Sequence, residues 1–290
     1  MLTIGLFPNT KKANVAPVLK QVVTYLKRHN IRMLMTEKDA LAMNYPELAF
    51  DQEQLSANIN LAVTLGGDGT MLQSVRFVAA AGVPVCGVNL GQLGFLPEIE
   101  IDDLEQGLSR LINGEYSINE RLMLDAVVIR DGQEIHLSSA LNDVVVSRGG
   151  CSRMIRLKLY LNGELTEKYP ADGLIVATST GSTGYSLSAG GPIVSPGLNV
   201  ILITPICPHA LHARPIVVAE TEEIRLVIAA PHEDIMVTSD GQHNFEISPT
   251  DEVVIRRSRL RARFVSLSTT GHLCRLRSKL WKADNEEQIF

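Results

Sequence analysis

Apolar and polar positions in the first third of the chain alternate between two periods. Leu2 to Phe7 is mostly apolar and predicts a buried strand. From Ala13 to Arg28 the apolar residues Val15, Val18, Leu19, Val22, Tyr25 and Leu26 recur at helical spacing. Ile31 to Met35 predicts a second short strand, and residues 36–57 a loop with a short helix. Asn60 to Leu65 predicts a strand running straight into glycines, Thr70 to Ala81 a helix, and Val83 to Val88 another strand. Asp102 to Ile112 predicts a helix whose two leading acids suit the positive end of its dipole. This alternation predicts a parallel, doubly wound sheet.

The pattern changes near residue 118. Apolar runs at Leu122 to Arg130, Ile155 to Leu161, Glu223 to Ala229 and Ile235 to Ser239 replace helical spacing. Asp131-Gly132, Asn162-Gly163 and Asp240-Gly241 are hairpin signals, because a type I′ turn needs positive φ at both central residues. The fold class expected is therefore α/β plus all-β. A Rossmann-like domain with a parallel sheet spans 1–118 and a β-rich domain spans 119–265. A tail over 266–290 packs back on the first domain, with a helix from Leu273 to Lys282.

Composition narrows the class without changing this picture. Of the 290 residues, 45% are hydrophobic and 20% charged, and the net charge of -5 argues against a nucleic-acid partner. The start, Met1 to Phe7, has no basic region before Pro8 and Asn9 end its apolar run, so it is not read as a signal peptide. No apolar stretch reaches the roughly 20 residues of a membrane span. Cys86, Cys151, Cys207 and Cys274 are scattered, which suits a reducing, cytoplasmic compartment.

The strongest chemical signal is Gly66-Gly67-Asp68-Gly69-Thr70, where a strand ends and a helix begins. Glycines let backbone amides approach a phosphate, and the helix start adds positive potential. Gly66, Gly67, Gly69 and Thr70 are the expected phosphate contacts. An acid repels phosphate, so Asp68 points to a base for a hydroxyl, or to an indirect metal contact. Taken alone, a tight turn with Asp68 capping the helix would give the same residues. No lysine follows as a Walker loop requires, and Leu72 stands where a dinucleotide fingerprint needs its third glycine.

A second segment, Asp172 to Thr178, runs into Ser179-Thr-Gly-Ser-Thr-Gly-Tyr-Ser-Leu-Ser-Ala-Gly-Gly191. This loop offers hydroxyls and amides to an anion or a ribose. Neither Ser182 nor Ser186 has the flanking glycines of a nucleophile elbow. Tyr185, Leu187 and the flanking apolar runs mark the loop as folded rather than a flexible Ser/Gly linker.

Together these segments resemble the NAD kinase family. The resemblance rests on Gly66 to Thr70, Asn89-Leu-Gly-Gln-Leu-Gly-Phe-Leu96, Asn142-Asp143, Asp172-Gly173-Leu174, Thr180 to Thr183 with Tyr185 to Pro192, and Pro208-His-Ala-Leu-His-Ala-Arg-Pro215, in the family's order. It implies a kinase that moves the terminal phosphoryl group of ATP, or of polyphosphate, to the adenosine ribose 2′-hydroxyl of NAD, making NADP. Asp68 would be the proton acceptor and Gly69 would lie against the dinucleotide. Asn142 and Asp143 would hold the nicotinamide side, and Asp172 would sit near it. Thr183, Gly184, Tyr185, Ser186, Leu187 and Ser188 would wrap the adenine and ribose, with Arg153 and Gln242 also lining the site. The resemblance further implies a homodimer or homotetramer in which a neighbouring subunit completes the site. Ser179 and Gly184 stand where the family has proline and alanine, and Asp143 where glutamate is frequent.

No cluster of carboxylates predicts a protein-built metal site, so Mg²⁺ is expected to be held mainly by nucleotide phosphates and water. Cys207, His209 and His212 lie between prolines and read as a turn rather than a zinc site. Arg256, Arg257, Arg259 and Arg261 read as the alternation of an edge strand. Two competing functions follow from the same residues: a lipid kinase sharing the glycine turn, and a non-catalytic NAD sensor.

Overall fold

The structure is a computed structural model, and it describes residues 2–91, 94–150, 154–229 and 234–267. Two compact units divide the chain. One takes Met1–Glu120 and the described residues from Ala262 on; the other is Arg121–Arg261.

The first unit follows the predicted alternation: β1 (Thr3–Pro8), α1 (Val15–Arg28), β2 (Arg32–Thr36), α2 (Glu37–Ala42), β3 (Ala49–Phe50), α3 (Gln52–Leu55), β4 (Leu61–Gly66), α4 (Asp68–Val78), β5 (Val85–Asn89) and α5 (Leu104–Ile112). All its strand pairs are parallel, in the order β5-β4-β1-β2-β3. Alternation along the strands sorts the two faces. Ile4, Leu6, Leu61, Val63, Leu65, Cys86 and Val88 share one core with Val18, Leu19, Val22 and Leu26 of α1 and Leu104, Leu108 and Leu111 of α5. On the opposite face α4 lies against the sheet: Thr64 donates to Ser74 at 2.8 Å, and Phe7 meets Phe77 with ring centroids 5.5 Å apart. The region 36–57 holds two short helices and a two-residue strand, a second helix and a strand beyond what its weak pattern predicts.

Because β2 and β3 lie to one side of β1 while β4 and β5 lie to the other, the winding reverses between β1 and β4. The crevice beyond the carboxyl ends of those two strands is where open α/β sheets bind ligands. The loop after β1 and the glycine turn after β4 both open there.

The second unit is antiparallel. Its strands are β6 (Ser117–Arg130), β7 (Gln133–His136), β8 (Asp143–Arg148), β9 (Ile155–Leu161), β10 (Glu164–Ala171), β11 (Gly173–Thr178), β12 (Val200–Ile206), β13 (Ile216–Ala219), β14 (Ile224–Ala229), β15 (Ile235–Ser239), β16 (His243–Ile247) and β17 (Glu252–Ser266), with residues 117–120 of β6 and 262–266 of β17 counted in the first unit. The α-helix described here, α6 (Tyr185–Ser188), is one turn long. One sheet runs β13-β12-β11-β8-β15-β16. Val144, Val146, Leu174, Val176, Ile201 and Ile203 of that sheet share a core with Leu157, Leu159, Leu226, Val253 and Ile255 of the facing strands. All three predicted hairpin turns have positive φ at both residues: 52° and 76° at Asp131-Gly132, 48° and 85° at Asn162-Gly163, 52° and 64° at Asp240-Gly241.

The arginine stripe lies on β17, which pairs with β14 over residues 252–255 and also with β6. Its alternation arises from ion pairs on the exposed face, Arg257 to Glu220 at 3.1 Å and Arg261 to Glu220 at 2.8 Å, with Arg256 4.0 Å from Glu223. The predicted tail helix from Leu273 to Lys282 lies outside the described residues.

Candidate active site

In the first unit the site is built where β4 gives way to α4. Asp68 is the first residue of the helix and its side chain makes no cap. Its carboxylate instead turns to the loop after β5: Phe95 N–H donates to Oδ2 at 3.1 Å and Leu96 N–H to Oδ1 at 3.0 Å. A helix-capping role for Asp68 is thereby replaced by a long-range one. Gly94 allows the approach, since a Cβ there would stand 2.8 Å from Asp68 Oδ1. Two amides occupy part of a carboxylate with roughly four lone-pair positions, which leaves room for a hydroxyl donor. Asp68 is half-exposed, and Gly69 beside it is exposed.

Thr70 is tied across the reversal point. Asn9, just past β1, donates from Nδ2 to Thr70 Oγ1 at 3.1 Å, and Asn9 N–H donates to the Leu65 carbonyl at 2.8 Å. Lys11 N–H donates to Asn9 Oδ1 at 3.2 Å, so Lys11 and Lys12 follow directly on this link. Asn89 closes the region: it pairs with Gly66, donates to Glu100 at 2.9 Å, and leaves its Oδ1 buried without a hydrogen-bond partner.

In the second unit Asp143 opens β8 with Asn142 just before it, and both meet the polar turn of residues 180–184. Thr178 N–H donates to the Asn142 carbonyl at 2.8 Å, and Thr178 Oγ1 to the Leu141 carbonyl at 2.6 Å. Gly181 is required here, because a Cβ would overlap the Asn142 carbonyl oxygen. A Cβ on Gly184 would lie 3.7 Å from Asn142 Nδ2 and 3.9 Å from Asp143 Oδ2, so all three share one place. Asn142 Oδ1 and Thr180 Oγ1 are buried there without hydrogen-bond partners. Burial first, and the charge of Asp240 second, push the Asp143 carboxyl up to about 7. Near neutrality it is a group that can donate as well as accept a hydrogen bond.

The other expected contacts are distributed unevenly. Ser186 is buried and its hydroxyl is bonded to Thr204 at 2.9 Å, while Ser182 is bonded to Val194. Thr183, Gly184 and Leu187 are half-buried, and Tyr185 and Ser188 are exposed. Gln242 sits in the β15–β16 turn, its N–H donating to the Ser239 carbonyl at 3.0 Å. Asp172 is not beside Asn142. It lies at the far end of the β8–β11 pair, opposite Arg148, about five residues or roughly 16 Å along the strands. Arg148 holds it from Nε at 2.8 Å and from Nη2 at 3.2 Å. Arg153 lies outside the described residues.

Several of the contacts that hold these residues are not foreshadowed by the sequence. The amides of Phe95 and Leu96, Asn9, Arg148 and Asp240 all hold expected site residues. Asn9 carried a usable signal, a polar residue directly after the first strand. The others sit far along the chain from what they hold.

Among the described residues no three His, Cys, Asp or Glu side chains come together as a metal cluster, and no helix is long and apolar enough to cross a membrane. A groove of about 560 Å³ lies between Glu220–Glu223 and Arg256–Leu260, where the arginines and glutamates pair with each other.

Two family models match the chain: the ATP-NAD kinase N-terminal domain over residues 4–116, and the ATP-NAD kinase C-terminal domain over residues 141–267. Among curated proteins, an NAD kinase of Desulforamulus reducens is 42% identical over 98% of this chain and 99% of its own length. One of Moorella thermoacetica is 44% identical over 97% of this chain and 89% of its own. Among solved structures, a yeast NADH kinase complexed with NADH superposes with a TM-score of 0.85 at 26% identity, covering 92% of this chain and 84% of that one. An NAD kinase from Archaeoglobus fulgidus in complex with ATP superposes with a TM-score of 0.76 at 25% identity, covering 96% and 98%.

Proposed function

This chain belongs to the NAD kinase family and is a phosphotransferase of that activity; from that premise we propose that Asp68 is the base that takes the proton of the adenosine ribose 2′-hydroxyl. The observation that carries this reading is the Asp68 carboxylate itself. It stands at the crevice of the sheet, aimed by two backbone amides yet half-exposed. As the 2′-oxygen bonds to the terminal phosphorus of the donor, its O–H bond breaks toward Asp68. The bond from that phosphorus to the nucleoside diphosphate breaks on the other side. The products are NADP and ADP. The glycine-turn amides and the start of α4 hold donor phosphates, with Thr70 fixed by Asn9.

ATP is the donor we propose, with polyphosphate as the variant to test. A magnesium ion, supplied with the phosphates, would neutralise their charge. The ion would be held mainly by phosphate and water. Asn142 and Asp143 bind the nicotinamide side, and residues 183–188 the adenine and ribose. A homodimer or homotetramer, with a neighbouring copy completing the site, is part of this proposal and rests on the family to which the chain belongs. The scattered cysteines support a reducing, cytoplasmic setting.

The match over residues 141–267 supports NAD over a lipid substrate. The test is a coupled assay with ATP, Mg²⁺ and NAD, in which NADP is measured by an NADP-specific dehydrogenase. NADP forms with the native protein, and Asp68→Asn binds NAD while turning over far more slowly. Turnover near the native rate in that variant removes Asp68 from the role of base.

A further inference from the structure

The β15–β16 turn contains an inward-facing acid. Asp240 is only 7% exposed, and its carboxylate reaches the chain entering β8. Oδ2 accepts from Leu141 N–H at 3.0 Å, and Oδ1 accepts from Asn142 N–H at 2.7 Å and Asp143 N–H at 3.2 Å. The Asp240 N–H returns a bond to the Asp143 carbonyl at 2.9 Å. Three consecutive amides converging on one anion form a backbone nest, here filled by the protein's own side chain. Turn geometry alone does not require that carboxylate, since Asn162-Gly163 adopts the same left-handed pair without one.

We propose that Asp240 is a positioning residue for dinucleotide binding, gripping the backbone of Asn142 and Asp143 from behind so that their side chains face the ligand. This rests on the reading that Asn142 and Asp143 contact the dinucleotide. The buried, unpartnered Asn142 Oδ1 supports an external partner for that side chain. The grip has an electrostatic consequence. Among the described residues, Ala177 of β11, Ser239 of β15, and Gly181 and Gly184 of the polar turn lie beside the Asp143 stretch without charge. Asp240 is the charged neighbour, and with burial it raises the Asp143 carboxyl to about 7. Asp240 thus sets both where Asp143 points and the pH at which it ionises.

Asp240→Asn tests both effects, because asparagine accepts the left-handed turn and keeps one acceptor oxygen while losing the charge. The KM for NAD is expected to rise about tenfold with kcat within about twofold, roughly the loss of one hydrogen bond to a charged group. The step near pH 7 in kcat/KM for NAD moves to lower pH, since removing a negative neighbour favours ionised Asp143. A purely structural role would lower the melting temperature and leave that step in place. Asn142→Ala and Asp143→Asn separate the premises. If neither changes KM for NAD, the reading of the site fails. If both raise it while Asp240→Asn leaves KM and the pH step unchanged, the proposal about Asp240 fails alone. Should Asp240→Asn not fold, carboxyl ¹³C titration of the native protein decides, with Asp143→Asn assigning the resonance. Titration of Asp143 near 7 with slow exchange of the Leu141 to Asp143 amides supports the proposal; titration near 4 with fast exchange overturns it.

Discussion

Asp68 and Asp143 both stand beside glycine-rich turns, one in each unit, and their surroundings differ in nearly every respect. Asp68 is half-exposed at the start of a helix, and two amides from another loop donate to its oxygens. Asp143 is 6% exposed at the start of a strand, with a second carboxylate gripping the backbone around it. Access to water and nearby charge, rather than residue type, separate the two jobs proposed for them: one carboxylate to remove a proton, the other to donate a hydrogen bond.

The sharpest way to break this comparison is to make the same change at both sites. Asp68→Asn is expected to lower kcat about a thousandfold, within the range for a lost general base, with little change in NAD affinity by calorimetry. Asp143→Asn should leave kcat within an order of magnitude and instead raise the KM for NAD. Equal effects at the two positions would erase the distinction.

Stability against pH is the next largest effect. The Asp143 carboxyl rises from 3.8 to about 7 on folding, so the folded state holds its proton through a window in which the unfolded chain has released it. Its contribution is most favourable below about 3.8 and falls by about 1.4 kcal/mol per pH unit as pH rises, levelling off above about 7. Asp143→Asn removes that penalty. Denaturant unfolding should show the variant more stable than the native protein by about 2–4 kcal/mol at pH 8, with no such gain at pH 4. A gain independent of pH would mean that Asp143 is not the group responsible.

Smaller effects probe how each carboxylate is held. Gly94→Ala forces the Asp68 carboxylate away from its amides, and a roughly tenfold drop in kcat is expected at unchanged KM for NAD, about the loss of one good hydrogen bond. Arg148→Lys replaces a two-pronged contact to Asp172 by a single ammonium. A change of a fewfold in the NAD dissociation constant, with no change in the pH step near 7, would place Asp172 apart from the Asn142–Asp143 cluster.

The fold was legible where local chemistry decides it. The run from Asn60 into Gly66 could hardly be anything but a strand ending at a turn, and the three Asp-Gly or Asn-Gly pairs adopt the φ values their residues favour. The two residues of β3 carry no period and leave no mark in the sequence; the strand forms where β2 offers it a partner. Alternating charge looks alike on an edge and on the exposed face of a paired strand, so the arginine stripe alone does not say where β17 sits. At the candidate site, Asp68 was legible and what holds it was not: 27 and 28 residues separate it from the amides of Phe95 and Leu96. Asp240 lies 97 to 99 residues from its partners, and its Asp-Gly signature fully explains the turn without them.

Hairpin turns are ordinarily the most replaceable pieces of a sheet, and the three here are interchangeable as backbone. They are not interchangeable as chemistry. Moving Asn162-Gly163 into the β15–β16 hairpin would preserve every bend of the chain and still remove a negative charge from beneath the proposed ligand site. A designer grafting loops by shape alone would count that exchange as silent.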